Sequence, residues 1–266
     1  MRDRVRSALF AVVAVACGGR LPPPVAPAEL PASLLDAARA RPVPDLAQAR
    51  MNIRLRSKPL DLAASTGAGL VVERPGKVRF DLMGPLGGPL LVINADGTGL
   101  SALLVGASRH LLAAEADSVV REASGGVADL DTLAALLVGD VPFDGVVPSA
   151  ASIGDDGALT VKLPGPDGAG IELVVASDGT PRRVHATDPN GGLLLSADYA
   201  LFQDVGGVLM PSDLILEVPQ LELVIEVKYK VWSVPESSPV DFSVAPPEGV
   251  ASESLEDAVR KALTGA

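Results

Sequence analysis

From Met51 onward the apolar residues of this chain recur at every second position, and the runs they form are separated by Asp-Gly and Asn-Gly pairs. Met51, Ile53 and Leu55 alternate with Asn52, Arg54 and Arg56, and Val78, Phe80 and Leu82 alternate with Lys77, Arg79 and Asp81. Successive side chains of a strand point to opposite faces, so this pattern places one apolar face on a core and one polar face in water. The same reading applies to LTVKL (159–163), IELVV (171–175), LLLSADYALF (193–202) and LILEV (214–218). The longest run is LELVIEVKYKVW (221–232), in which alternation predicts that Leu221, Leu223, Ile225, Val227, Tyr229 and Val231 share a face. Asp96-Gly97, Asp156-Gly157, Asp167-Gly168, Asp178-Gly179 and Asn190-Gly191 have the chemistry of hairpin turns. The last four recur 11, 11 and 12 residues apart, which predicts a meander of sequentially paired strands.

Few segments carry a helical period. VADLDTLAALLVGD (127–140) places Leu130, Leu133, Ala134 and Leu137 on one face and ends at Gly139. ADSVVREASG (116–125) is ambiguous between helix and strand. A helix is expected from Ser33 to near Arg41, before Pro42, and a last one in ASESLEDAVRKALTG (251–265), opening at Ser252 or Ser254. The expected architecture is therefore mostly β (α+β), a single antiparallel sheet of about ten strands. An open sheet of that size tends to curl. With so few amphipathic helices to cover its apolar face, it should form an incomplete barrel with a helical lid over an apolar cavity.

Composition narrows the function. Hydrophobic residues make up 48% of the chain and charged ones 21%, enough to build a core, but aromatics are only 3%, so Leu, Val and Ala must fill it. The net charge of −11 excludes the basic footprint of a nucleic-acid-binding protein and a polybasic lipid-binding segment. One cysteine and two histidines leave no material for a disulfide framework or a Cys/His metal centre, and no cofactor is expected. Ser108 and His110 in GASRH could suggest a nucleophile and base, but His110 stands where a nucleophile elbow needs its second glycine, and no acid partner is identifiable. The expectation is a protein that is not an enzyme. PRRVH (181–185) reads as a solvated strand edge, and the Asp-Gly pairs lack the ligand spacing of a calcium loop.

The N-terminus carries an address. Arg2, Arg4 and Arg6 precede an apolar stretch, Ala8 to Ala16, that has the length of a signal-peptide core and is too short to cross a bilayer. AVAC, ending at Cys17, resembles the bacterial lipobox, whose cysteine is diacylglyceryl-modified; Ala14 stands where that motif usually has Leu. An ordinary secretory signal and a cytosolic protein with an apolar N-terminus are the alternatives. One acyl chain anchors only marginally, whereas the two or three chains of a lipidated Cys17 would anchor durably. Residues 18–32, GGRLPPPVAPAELPA, form a proline-rich, semi-rigid spacer. The expected organisation is a signal peptide (1–16), lipidated Cys17 with its spacer (17–32), a β domain (33–245) and a C-terminal helical tail (246–266).

VVERPGKVRFDLMGPLGGPLLVINADGTGLSALLVGASRHLLA (71–113) resembles the LolA/LolB superfamily, and within it the LolB-like outer-membrane lipoprotein receptors. A strand leads through a Pro-Leu-Gly loop, here GPLGGP (84–89), straight into an apolar strand and further hairpins. The helical patch before Pro142-Phe143 and the strands of 193–232 follow the same layout. The resemblance implies a half-barrel whose cavity takes the acyl chains of lipoproteins or lipids. It implies delivery of those lipoproteins by a periplasmic, LolA-like carrier to a monomer anchored in the outer membrane and facing the periplasm. Gly18 after the cysteine agrees with outer-membrane placement. Gly84, Pro85, Leu86 and Gly87 then become a membrane-insertion loop, with Leu86 at the inserting position. Phe80, Leu82, Leu133, Leu137, Leu223, Ile225 and Tyr229 become cavity-lining residues. The chain departs from the family in its scarcity of rings and in its tail. The alternative is a non-enzymatic envelope lipoprotein that uses the fold as a scaffold for partners.

Overall fold

The computed structural model describes residues 36–58, 62–142, 145–243 and 250–257, apart from 37 and 256. Cys17, the signal sequence, the spacer, Ser33, Phe143 and most of the tail lie outside the described residues. The strands are β1 (Leu46–Ser57), β2 (Leu62–Glu73), β3 (Lys77–Met83), β4 (Pro89–Asp96), β5 (Gly99–Leu104) and β6 (Arg109–Ala113). Two helices follow, α1 (Ala116–Ser124) and α2 (Leu130–Leu137). The second half comprises β7 (Ala150–Ile153), β8 (Leu159–Pro164), β9 (Gly170–Val175), β10 (Pro181–Thr187), β11 (Leu193–Tyr199), β12 (Phe202–Val205), β13 (Val208–Pro211), β14 (Asp213–Val218), β15 (Leu223–Ser233) and β16 (Ser252–Ser254).

Fourteen of these form one curved sheet in the order β16-β6-β5-β4-β3-β2-β1-β15-β14-β11-β10-β9-β8-β7, and β12 and β13 form a separate hairpin. The sheet is antiparallel except for β16 beside β6, and its two end strands do not meet, so the barrel stays open. Short hairpins hold more strands than the expected ten, because a four-residue strand such as β7 shows too little alternation to stand out. The meander is as expected: β7 to β11 pair in sequence order. Its turns repeat one geometry, with Gly157, Gly179 and Gly191 each at positive φ and the preceding turn closed by two backbone hydrogen bonds. PRRVH lies inside the sheet on β10, between β9 and β11, and is not an edge; Arg182 ion-pairs with Asp156 and Arg183 with Asp198.

Alternation along β15 fails at one point. Arg50 of β1 pairs with Val231, and the next residue, Met51, pairs with Tyr229, so Lys230 is an extra residue, a β-bulge. A bulge inverts the facing of everything beyond it. Trp232 therefore points inward, 6% exposed, with its indole N–H donating to Pro211 O at 2.7 Å, and Val231 points out, 58% exposed. The expected single face from Leu221 to Val231 thus ends at Tyr229. LLLSADYALF also splits, β11 ending at Tyr199 and Phe202 opening the separate hairpin. The tail differs as well: Ser252 to Ser254 extend beside β6 where a helix was expected, and only after them, at Leu255, does helical backbone begin.

Candidate functional site

The two helices lie on the inner face of the sheet. The ambiguous segment 116–125 is helical, and Gly125 ends it in the left-handed region at φ 69°. In α2, Asp129 is the N-cap and its carboxylate accepts from the backbone N–H and hydroxyl of Thr132, at 2.9 and 2.7 Å. Gly139, at φ 70°, carries the chain away after the helix as expected; a side chain there would strike Phe202. The carbonyls in the last turn of a helix have no partner within it. Here two inward tyrosines supply donors: Tyr199 of β11 donates to Leu136 O at 2.7 Å and Tyr229 of β15 to Leu137 O at 2.8 Å. Burial pushes both phenols well above their ordinary range, which keeps them protonated as donors. Leu130, Ala134 and Leu136 join the inward residues of the strands in one core.

The covering is uneven. Residue pairing brings the C-terminal end of β1 and β3 and the N-terminal end of β2 and β15 to the same end of the sheet, where the 84–88 loop lies. There the inward side chains of Leu91, Leu223 and Ile225 remain only half-buried, as does Phe80 in the middle of β3, although all pack against the main core. Leu133 and Leu137 of α2 are half-buried too, whereas Leu82 and Tyr229 are buried at 6% and 5% exposure. All seven residues expected to line a cavity therefore share the inner face and its core; two of them are sealed within it.

The loop is a tight hairpin. Gly84 N–H donates to Gly88 O at 2.7 Å, Gly87 N–H donates to Gly84 O at 3.0 Å, and Gly87 takes φ 84°, a backbone that a side chain would strain. This lifts Pro85 and Leu86 out of the sheet, and Leu86 is fully exposed. Leu90 and Val105, on the neighbouring strand and turn, are exposed beside it.

A LolA superfamily protein from Nitrosomonas europaea superposes with a TM-score of 0.51 at 16% identity, over 78% of this chain and 94% of that one. The chain has a LolA-superfamily fold. A protein domain from Vibrio parahaemolyticus named for outer membrane lipoprotein sorting gives 0.54 at 13% identity, over 79% and 94% of the two chains. A DUF1329 family protein from Desulfovibrio piger gives 0.55 at 9%, over 80% and 95%. No protein-family model and no curated protein sequence matches the chain.

Ser108 and His110 do not form a pair in this LolA-like sheet: the His110 ring is buried on the outer face, and its Nδ1 lies 2.9 Å from Ser252 Oγ. No cluster of three metal-ligating side chains occurs among the described residues. No helix among them is long and apolar enough to cross a membrane. Sequence reasoning missed Tyr199 as the anchor of α2, and it missed Arg41. The Arg41 guanidinium is buried, donates to the carbonyls of Leu209 and Gly139, and stacks on Phe202 at 5.7 Å. Nothing local marks either residue, because each partner is at least 63 positions away in sequence.

Proposed function

We propose that this protein is a membrane-anchored lipoprotein that holds acyl chains between α2 and the inner face of its half-barrel and hands lipid-anchored cargo to the outer membrane. The observation that carries the reading is the half-covered apolar surface of Leu91, Leu223 and Ile225 at the end that bears Leu86, with Phe80, Leu133 and Leu137 half-buried further in on the same inner face. Apolar surface left in water costs about 25 cal/mol per Å², so a fold that keeps it there gains from a ligand that covers it. Acyl chains match its chemistry, since aliphatic side chains dominate the lining and offer no directed polar contacts. In this reading α1 and α2 are the lid, Cys17 carries the anchor, and residues 18–32 space the domain from the bilayer. Cargo arrives from a LolA-like periplasmic carrier. Gly84, Pro85 and Gly87 present Leu86, and its entry into lipid contributes about 1.5–3 kcal/mol, enough to bias a transfer and too little to anchor. The chain acts as a monomer and performs no catalysis.

Native mass spectrometry of the purified chain, with lipid extraction, tests this reading. Bound acyl lipid is expected in the wild type and in Leu86→Glu, and is expected to be lost in Ile225→Glu, whose charge would lie against the acyl chain. Leu86→Glu should instead fail to transfer a lipidated cargo to vesicles. A wild-type chain that carries no acyl lipid and takes up none from a fluorescent fatty acid would leave the fold as a scaffold and sink the proposal.

A further inference from the structure

The outer face of the sheet carries a second surface, distinct from the acyl-binding side. On β1 the outward residues include Arg50, Asn52 and Arg54; Lys228 of β15 stands opposite Asn52, and the bulge inserts Lys230 beside Arg50. Arg50, Arg54, Lys228 and Lys230 are exposed, and among the described residues none forms an ion pair. Of the acids on this face, Glu226, opposite Arg54, is engaged with Arg56 and Asp81 with Arg79, while Asp213 of β14 stands opposite Lys228. Arg50 and Lys230, side by side with no acid opposite them in the sheet, contrast with a chain whose net charge is −11.

The patch borders a trough of about 520 Å³ over β2. Gly69 pairs directly with Arg50 and Gly67 with Asn52. Its walls include Val71, Met83 and Val231, so cations and apolar side chains alternate around it. The glycines are not required by packing: a Cβ at Gly67 would meet nothing within 4 Å, and at Gly69 only Asp81 Cβ at 3.9 Å. Neither has positive φ. Glycine inside a strand is destabilising by roughly 0.5–1 kcal/mol relative to alanine, and it commonly marks a place where another backbone approaches closely.

One irregular, bent segment of the chain already uses this face. After β15, residues 234–243 cross the sheet; Val240 lines the trough, Arg79 donates to Asp241 O at 3.2 Å, and Asn94 donates to Ser243 O at 3.1 Å. At β16, Arg109 grips Glu253 with two hydrogen bonds. The trough therefore accepts backbone with an apolar side chain, Val240, on its far wall, while Arg50 and Lys230 on the wall beside β1 have no acid opposite them.

We infer that the trough over Gly67 and Gly69, with Arg50, Arg54, Lys228 and Lys230 along its rim, docks an extended acidic segment of a partner protein. The charge pattern selects a partner that alternates acidic and apolar residues, since alternate side chains of an extended chain face the rim and the floor. A recessed floor favours such a segment over a flat bilayer, whose headgroups would reach only the rim.

The test uses the full chain and, as probe, a ten-residue peptide alternating Glu and Val, followed by calorimetry and by chemical shifts at low and high salt. Binding to the wild type is expected, weakened by salt. Arg50→Glu with Lys230→Glu should weaken it by at least about tenfold. Gly67→Val with Gly69→Val should abolish it by filling the trough, while the melting temperature holds or rises, because Val favours a strand. The charge reversal keeps the test decisive even if the valine variant folds poorly. A wild type that does not bind the peptide, or a peptide that binds the charge-reversed chain as tightly as the wild type, overturns the inference. Rim-dependent binding to phosphatidylglycerol vesicles with no peptide binding would do the same and reassign the patch to a lipid surface.

Discussion

Removing the hydroxyls of Tyr199 and Tyr229 should loosen α2 from the sheet without altering the core it packs on. In Tyr229→Phe the carbonyl of Leu137 loses the 2.8 Å hydrogen bond it accepts from the phenol, beside the half-buried end of the inner face. A net hydrogen bond contributes about 0.5–1.5 kcal/mol, and an abandoned buried carbonyl raises the cost toward 1–3 kcal/mol. Tyr199→Phe should be milder, because Leu136 O still accepts from Gly139 N–H at 3.2 Å. For both together about 2–3 kcal/mol is expected, less than additive since the two bonds hold one helix end. In a chain of this size that corresponds to a melting temperature lower by roughly 4–12 °C. Circular dichroism melts give the global value, and hydrogen exchange at residues 130–137 gives the local one. The pH dependence has a definite sign. Both phenols titrate above their ordinary value of 10.0 because they are buried, so the folded chain holds their protons where the unfolded chain releases them. Their contribution is complete below about pH 10 and is lost as pH rises through the folded values; the double Phe variant should lack that alkaline loss. Wild-type melting and wild-type exchange at α2 in the double variant would refute the claim that these hydroxyls hold the helix.

Leu86→Glu should leave the melting temperature unchanged, because the side chain is fully exposed. In a Cys17→Ala background, which removes the acyl anchor, it should reduce vesicle co-sedimentation by about 10- to 100-fold, the partitioning of one leucine. Cys17→Ala itself should abolish incorporation of labelled fatty acid; label that persists would place the anchor elsewhere. Asp129→Ala should cost about 1 kcal/mol in chemical denaturation by removing the α2 cap. Burial pushes the Asp129 carboxyl up, but the Thr132 hydroxyl and N–H and the Arg121 guanidinium outweigh it and hold it below its ordinary 3.8. Its stabilisation is thus present above that value and fades as pH falls through the lowered one, so the variant and wild type should converge as the pH falls.

Strand character, the meander of β7 to β11, the glycine-closed turns, α2 and the projecting 84–88 loop were all legible in the sequence. Each is written in residues close together: a period of two along a strand, an Asp-Gly pair, an N-cap three residues from its partner, or glycines on both sides of a leucine. Inward facing at Phe80, Leu82, Leu223, Ile225 and Tyr229 followed from the same period and agrees with the structure up to Lys230.

What lies beyond that point was decided by tertiary structure. Whether Val231 or Trp232 faces the core depends on a single extra residue, and that bulge exists only in the pairing of β15 with β1, about 180 positions away in sequence. The C-terminal end of α2 is held by tyrosines from two distant strands, and Ser252 to Ser254 extend because the free edge of β6 offers hydrogen bonds that a helix would forgo. Local composition determined which face of each strand was apolar. Only long-range pairing determined which strands neighbour one another, how much of the inner face the helices cover, and which outward cations gather beside Gly67 and Gly69.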